Sequence, residues 1–119
     1  MKDLKKYCVN ELETIKEAVS VIQCNLTRCA IVINDQKKVV GVFSEGDVLR
    51  AILGNIDMHA PLKRVISPTF MHLLKPDINK AFDLVKKHGI TLIPVIDDNF
   101  ILKDVITIFD VLNKSSLKK

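Results

Sequence analysis

The sequence predicts a mixed α/β (α+β) fold in which two β-β-α units pack about a pseudo-twofold axis. Three observations predict it: an internal repeat at an offset of 63 residues, short apolar runs of strand length between helical patterns in each copy, and a total length of only 119 residues. Sliding the sequence by 63 aligns residues 14–50 with 77–113 without a gap. Nine of the 37 pairs are identical: Ile15/Ile78, Ala18/Ala81, Val32/Val95, Ile33/Ile96, Asp35/Asp98, Val42/Val105, Asp47/Asp110, Val48/Val111 and Leu49/Leu112. A composition this rich in Val, Ile, Leu and Lys gives roughly two to four identities by chance. A unit of about 50–60 residues buries too little surface to stand alone, so each copy must complete the other's core.

Each copy opens with a helix. In the first, Thr14-Ile15-Lys16-Glu17 reads as a capping box, and Ile15, Ala18, Val19 and Ile22 follow at helical spacing. The second starts at Pro76-Asp77, repeats the period with Ile78, Ala81, Phe82 and Val85, and stops at Gly89. Apolar strands are expected at 30–33 and 93–96, then polar turns at Asn34-Asp35-Gln36-Lys37 and Asp97-Asp98-Asn99. Second strands follow at 39–43 and 100–106, and closing helices at about 46–53 and 108–113. Gly54, Asn55 and Pro61 interrupt the pattern, which places the joint near 54–63 and divides the chain into units 1–55 and 56–119. The second unit ends in a polar tail, 113–119, that reads as a linker.

Composition narrows the function classes. With 48% hydrophobic residues, four Gly and four Pro, the chain is neither disordered nor collagen-like. No apolar run reaches the roughly 18 residues of a membrane span. The charged start, Met1 to Cys8, lacks the apolar stretch of a secretory signal, so the cytoplasm is the expected location. The net charge of +4 is uneven: residues 1–59 hold 8 basic and 8 acidic side chains, residues 60–119 hold 10 and 6, and Lys114, Lys118 and Lys119 sit in the tail. A nucleic-acid surface needs a dense basic face with aromatics in it; here there is no Trp and one Tyr, so nucleic acid is not an expected partner. Cys8, Cys24 and Cys29 make an odd count without a CxxC pair, which suits free thiols in a reducing compartment. Cys24 and Cys29 are expected to act as small apolar residues. His59, His72 and His88 are scattered, and no metal site is expected.

The sharpest local signal is Gly41-Val42-Phe43-Ser44-Glu45-Gly46-Asp47-Val48-Leu49 with its partner Asp104-Val105-Ile106-Thr107-Ile108-Phe109-Asp110-Val111-Leu112. Both put a hydroxyl and a carboxylate three residues apart where a strand becomes a helix. Taken alone, each is a capping box that satisfies free amides of the first turn. The same geometry can also hold a ligand. A helix start attracts phosphate, a Ser or Thr hydroxyl bonds phosphate or sugar, and an Asp one turn in accepts a ribose diol.

Duplicated β-β-α units ending in VGVFSEGDVLRAI (40–52) and DVITIFDVL (104–112) resemble a tandem pair of cystathionine β-synthase (CBS) domains, a Bateman module. The likeness covers about 1–113. Ile93-Pro94-Val95-Ile96-Asp97 is similar to the family's Pro-containing strand, and Val65-Ile66-Ser67-Pro68 to the lead-in of a second repeat. The resemblance implies a non-catalytic regulatory module that binds AMP, ADP, ATP or S-adenosylmethionine in clefts between the repeats, requires no cofactor and forms a homodimer. It implies that Ser44 and Asp47 hold phosphate and ribose in one cleft and Thr107 and Asp110 in the other. The base would lie against Cys29, Ala30 and Ile31, or Leu92, Ile93 and Pro94. The phosphate-facing cation stays open among Arg28, Arg50, Lys63 and Arg64. An attached or partner effector is implied, the narrower expectation being a sugar-phosphate nucleotidyltransferase. The copies depart from each other: Asp104 replaces Gly41, and Ile108-Phe109 replaces Glu45-Gly46, which favours the 44/47 cleft. The alternative is a dimerisation module whose clefts are empty. A small enzyme is disfavoured, since no His stands at a signature spacing from Cys or Ser and Asp47 and Asp110 belong to separate copies.

Overall fold

A computed structural model describes residues 2–117, with side chains through Asn113. The chain enters through a 3-10 turn, Leu4–Tyr7, and forms β1 (Cys8–Asn10), α1 (Ile15–Asn25), β2 (Cys29–Ile33), β3 (Val39–Ser44) and α2 (Glu45–Leu53). After a 3-10 turn at Leu62–Arg64 come α3 (Ile78–His88), β4 (Leu92–Ile96), β5 (Leu102–Thr107) and α4 (Ile108–Leu117). The expected β-β-α duplication is present. α4 runs through most of the segment expected as a polar tail; Lys118 and Lys119, and with them any linker, lie outside the described residues.

β1 lies parallel to β2, with Val9 opposite Val32, and β2 is antiparallel to β3, with Ile31 opposite Val42. β4 and β5 form the second sheet, Pro94 opposite Val105. The sheets differ in width for a local reason. Pro94 has no N–H to offer an outer strand, and there the ladder shrinks to one parallel bridge, Leu73–Val95.

The inner strands β2 and β4 are apolar throughout because both of their faces are buried. Ala30 and Val32 point to one core with Val9, Ile15, Ala18, Ile22 and Phe43. Ile93 and Val95 point to a matching core with Ala81, Ile106 and Val111. Between them lies a core drawn from both repeats, with Tyr7, Cys29, Ile31, Val39, Leu92, Ile96 and Val105. Neither unit closes this seam alone. Ile31 is fully buried there, and burying such a side chain contributes about 1.5–3 kcal/mol.

The backbone repeats more faithfully than the sequence. Leu26 (φ 64°) and Gly89 (φ 67°) end α1 and α3 in the same left-handed conformation. Lys37 and Phe100, both at φ 64°, close equivalent turns. In those turns Asn34 Oδ1 accepts from the amides of Gln36 and Lys38, and Asp97 Oδ1 from those of Asn99 and Ile101. This turn keeps Phe100 out of the strand expected from residue 100, and β5 starts at Leu102. Both ladders slip at the same place, between Val32 and Ile33 and between Val95 and Ile96.

Two local expectations change. Thr14 Oγ1 accepts from the Glu17 amide, but the reciprocal half of a capping box is not formed. The interrupted stretch at 54–63 is more than a joint. Leu62 is fully buried in the first core, and Ala60 O accepts from the Ile15 amide at 3.0 Å, so this stretch holds the start of α1.

Candidate functional site between the repeats

Both strand-to-helix corners build the same hydrogen-bonded box. At the start of α2, Ser44 Oγ accepts from the Asp47 amide at 3.2 Å, and Asp47 Oδ2 accepts from Ser44 N and Oγ at 2.8 and 3.0 Å. At the start of α4, Thr107 Oγ1 accepts from the Asp110 amide at 3.3 Å, and Asp110 Oδ2 accepts from Thr107 N and Oγ1 at 2.8 and 3.2 Å. Main-chain carbonyls one repeat apart take the next amide: Arg28 O from Glu45 N, Thr91 O from Ile108 N. The capping role is therefore met at both corners.

The surroundings of the two corners differ. Beside Ser44 and Asp47 lies a cavity of about 400 Å³. Its walls come from both repeats and from the segment between them: Cys29 and Val42 on one side, His88, Ile90 and Leu92 on the other, and Thr69, Phe70 and Met71 across the top. A second cavity of about 320 Å³ shares Cys29, Ser44 and Ile90 and extends to Arg28, Gly46 and Thr91. Gly41 lets the connecting segment cross here, since a Cβ at 41 would stand 3.3 Å from Ser67 O. Asp47 Oδ1, the oxygen not used by the box, accepts from Arg50 Nη2 at 2.6 Å.

Beside Thr107 and Asp110, the equivalent positions are filled. Tyr7 takes the place of Phe70 and is 5% exposed, and Asn25 and Thr27 take the places of His88 and Ile90 at 6% and 1%. Asn25 donates to Cys29 O and accepts from both Thr27 N and Thr27 Oγ1, which binds the loop shut. The Lys2 ammonium donates to Asp110 Oδ2 and to Val105 O. Burial pushes the Asp110 carboxyl up, but the Lys2 and Thr107 donors outweigh it and hold it below the usual carboxylate range. Asp104 is half-buried, and its Oδ1 accepts from the neighbouring Val105 amide.

Of the residues singled out in the sequence, Ser44, Asp47, Cys29 and Leu92 come together on the open cavity. Ala30, Ile31, Ile93 and Pro94 are buried as whole residues and line neither cavity. Arg28 lines the smaller cavity; Arg50, Lys63 and Arg64 line neither, Arg50 being paired with Asp47 and the other two lying on the Leu62–Arg64 turn. Thr69, Phe70, Met71, His88 and Ile90 escaped the sequence reading. The 63-residue offset pairs Phe70 with Tyr7, His88 with Asn25 and Ile90 with Thr27, which marks equivalent places but not that they line a cavity. Burial raises the Cys29 thiol, a cost the Thr91 hydroxyl offsets only in part. Burial, with Asp3 nearby, pushes the Cys8 thiol up to about 11. Cys24 is exposed on α1 rather than packed as expected. No described helix is long and apolar enough to cross a membrane.

Fold and corners together define a duplicated α/β module with an open cleft at the seam of its repeats. The CBS domain model matches residues 2–54 and 70–116, and the chain belongs to that family as a tandem pair. A protein of Helicobacter pylori is 32% identical over 71 residues, covering 58% of this chain and 22% of its own length. A 17.7 kDa protein of Acidianus ambivalens is 26% identical over 107 residues, covering 89% and 65%. An inosine-5′-monophosphate dehydrogenase of Nitrosopumilus maritimus is 25% identical over 111 residues, covering 92% and 22%. The chain thus spans less than two thirds of the length of these curated relatives. Among solved structures, a CBS domain protein of Pyrobaculum aerophilum complexed with AMP superposes with a TM-score of 0.74 at 22% identity, covering 98% of this chain and 99% of that one. A CBS domain pair in complex with 5′-methylthioadenosine and S-adenosyl-L-methionine gives 0.76 at 17%, covering 94% and 89%. These likenesses describe a shared fold.

Proposed function

We propose that this CBS pair is a regulatory module that binds one adenosyl ligand at the Ser44/Asp47 corner. The observation that carries the reading is the cavity of about 400 Å³, walled by both repeats and the segment joining them. A ligand there touches Cys29 and Ser44 of one unit and Leu92 of the other, so it senses how the two units sit. Ser44 and the positive end of α2 would face a phosphate, and Asp47 a ribose diol. The carboxylate at 110 would take no part. The mechanism is population shift: the ligand favours one arrangement of the repeats by its differential affinity and no more. The unit boundaries of 1–55 and 56–119 belong to this reading, with 56–66 packed back on the first unit. So do a homodimer through the exposed apolar residues of the helices, a location in the cytoplasm and the absence of catalysis. The effector is an attached or partner protein; a sugar-phosphate nucleotidyltransferase is the narrower candidate.

The test is calorimetry and thermal shift with AMP, ADP, ATP and S-adenosylmethionine. A ligand at 100 times its dissociation constant should add about 2.7 kcal/mol of stability. No shift with any of the four would leave a dimerisation module with idle clefts, a reading favoured by the complete capping boxes at both corners.

A further inference from the structure

Arg50 is the residue whose position the capping role does not explain. The box at the start of α2 is complete with Ser44, the Asp47 amide and Asp47 Oδ2. Arg50 adds a further bond to the one carboxylate oxygen left over, Asp47 Oδ1, at 2.6 Å, while its own side chain is 71% exposed. Its guanidinium also leans over Gly46: both terminal nitrogens lie 3.6 Å from where a Gly46 Cβ would stand, as far as Ser44 Oγ does. Gly46 and Ser44 line the smaller cavity. The guanidinium therefore sits beside Gly46 at the start of α2 and occupies Asp47 Oδ1, the oxygen that a ribose diol would take. The other corner has neither part, with Phe109 in place of Gly46 and Asn113 in place of Arg50.

We infer that Arg50 sets ligand specificity at this corner by exchanging Asp47 for the 5′-phosphate of an adenosine monophosphate. The inference rests on the adenosyl-binding reading above. A diol that takes Asp47 Oδ1 displaces the guanidinium. With a 5′-phosphate in the cleft, the guanidinium has an anion to fork onto. With an uncharged 5′ group it is released to water and the lost ion pair counts against binding. An exposed Arg can make this exchange cheaply, because a surface ion pair contributes little.

The experiment compares AMP with 5′-methylthioadenosine, which shares the adenosine and lacks the phosphate, by calorimetry on the full chain and on Arg50→Gln. Thermal melts confirm that both proteins fold. AMP affinity should fall about tenfold or more in the variant, since a hydrogen bond to a charged group is lost. Affinity for 5′-methylthioadenosine should hold or rise, by up to about fivefold, because Asp47 no longer has to be freed. Arg50→Lys should restore part of the AMP affinity. Equal losses for both ligands, or no change for either, would overturn the inference while leaving the binding site intact. A loss of AMP confined to Arg28→Gln would move the role to Arg28 and also overturn it. Binding of neither ligand to the unaltered chain would instead overturn the reading on which the inference rests.

Discussion

The two strand-to-helix corners are near copies in hydrogen bonding and opposites in access. Ser44/Asp47 and Thr107/Asp110 make the same box, yet one opens on a cavity of about 400 Å³ and the other is packed with Tyr7, Asn25 and Thr27 and bridged by Lys2. The lesson is that a duplicated motif guarantees a duplicated cap and no more. Whether a corner can bind is decided by what fills the space in front of it, and those residues come from elsewhere in the chain.

The largest expected contrast lies between Tyr7 and Phe70, which hold equivalent places before the two corners. Tyr7 is 5% exposed in the inter-repeat core, and truncating a buried aromatic to Ala costs about 3–5 kcal/mol. Tyr7→Ala should lower the urea midpoint far more than Phe70→Ala, whose ring is half-buried beside an open cavity. Equal losses would mean that both corners are packed alike.

A smaller contrast separates the two left-handed helix ends. Gly89 has open space around it, so Gly89→Ala should destabilise by about 1–2 kcal/mol through backbone conformation alone. Leu26, 72% exposed at the matching position, should respond with the opposite sign. Leu26→Gly relieves that strain against a larger unfolded-state entropy, a net gain of about 0.5–1 kcal/mol. Denaturant titration of the two variants reads both signs, and a loss in each would refute the backbone equivalence.

Acid should separate the corners as well. The folded Asp110 carboxyl is held low by Lys2 and Thr107 against the opposing effect of burial. Its stabilisation is complete above the unfolded carboxylate pKa of about 3.9 and is lost as pH falls through the lower folded value. Lys2→Ala should therefore weaken the fall in melting temperature below pH 4. An unchanged acid profile would show that Lys2 is idle. Thiol chemistry gives the mildest readout. At neutral pH Cys24, exposed on α1, should react with a maleimide first. Cys8, raised to about 11, and Cys29, also raised by burial, should lag well behind.

Much of this was legible in the chain itself. Identities at a fixed offset gave the duplication, Gly89 the end of α3, and Ser44 to Asp47 the corner. What escaped was long-range. No periodicity announces that Leu62 is fully buried in the first core. Nothing local shows that Lys2 reaches Asp110 from the far end of the chain. Leu26 hid for another reason: a leucine gives no hint of a left-handed helix end, while its partner Gly89 does.

The most direct measurement is a calorimetric titration of AMP into the unaltered chain and into Asp47→Asn and Asp110→Asn, in which Asn keeps a capping acceptor. The account predicts one ligand per chain, binding weakened by Asp47→Asn, and near-normal binding in Asp110→Asn. Two ligands per chain, or a greater loss at 110 than at 47, would contradict it.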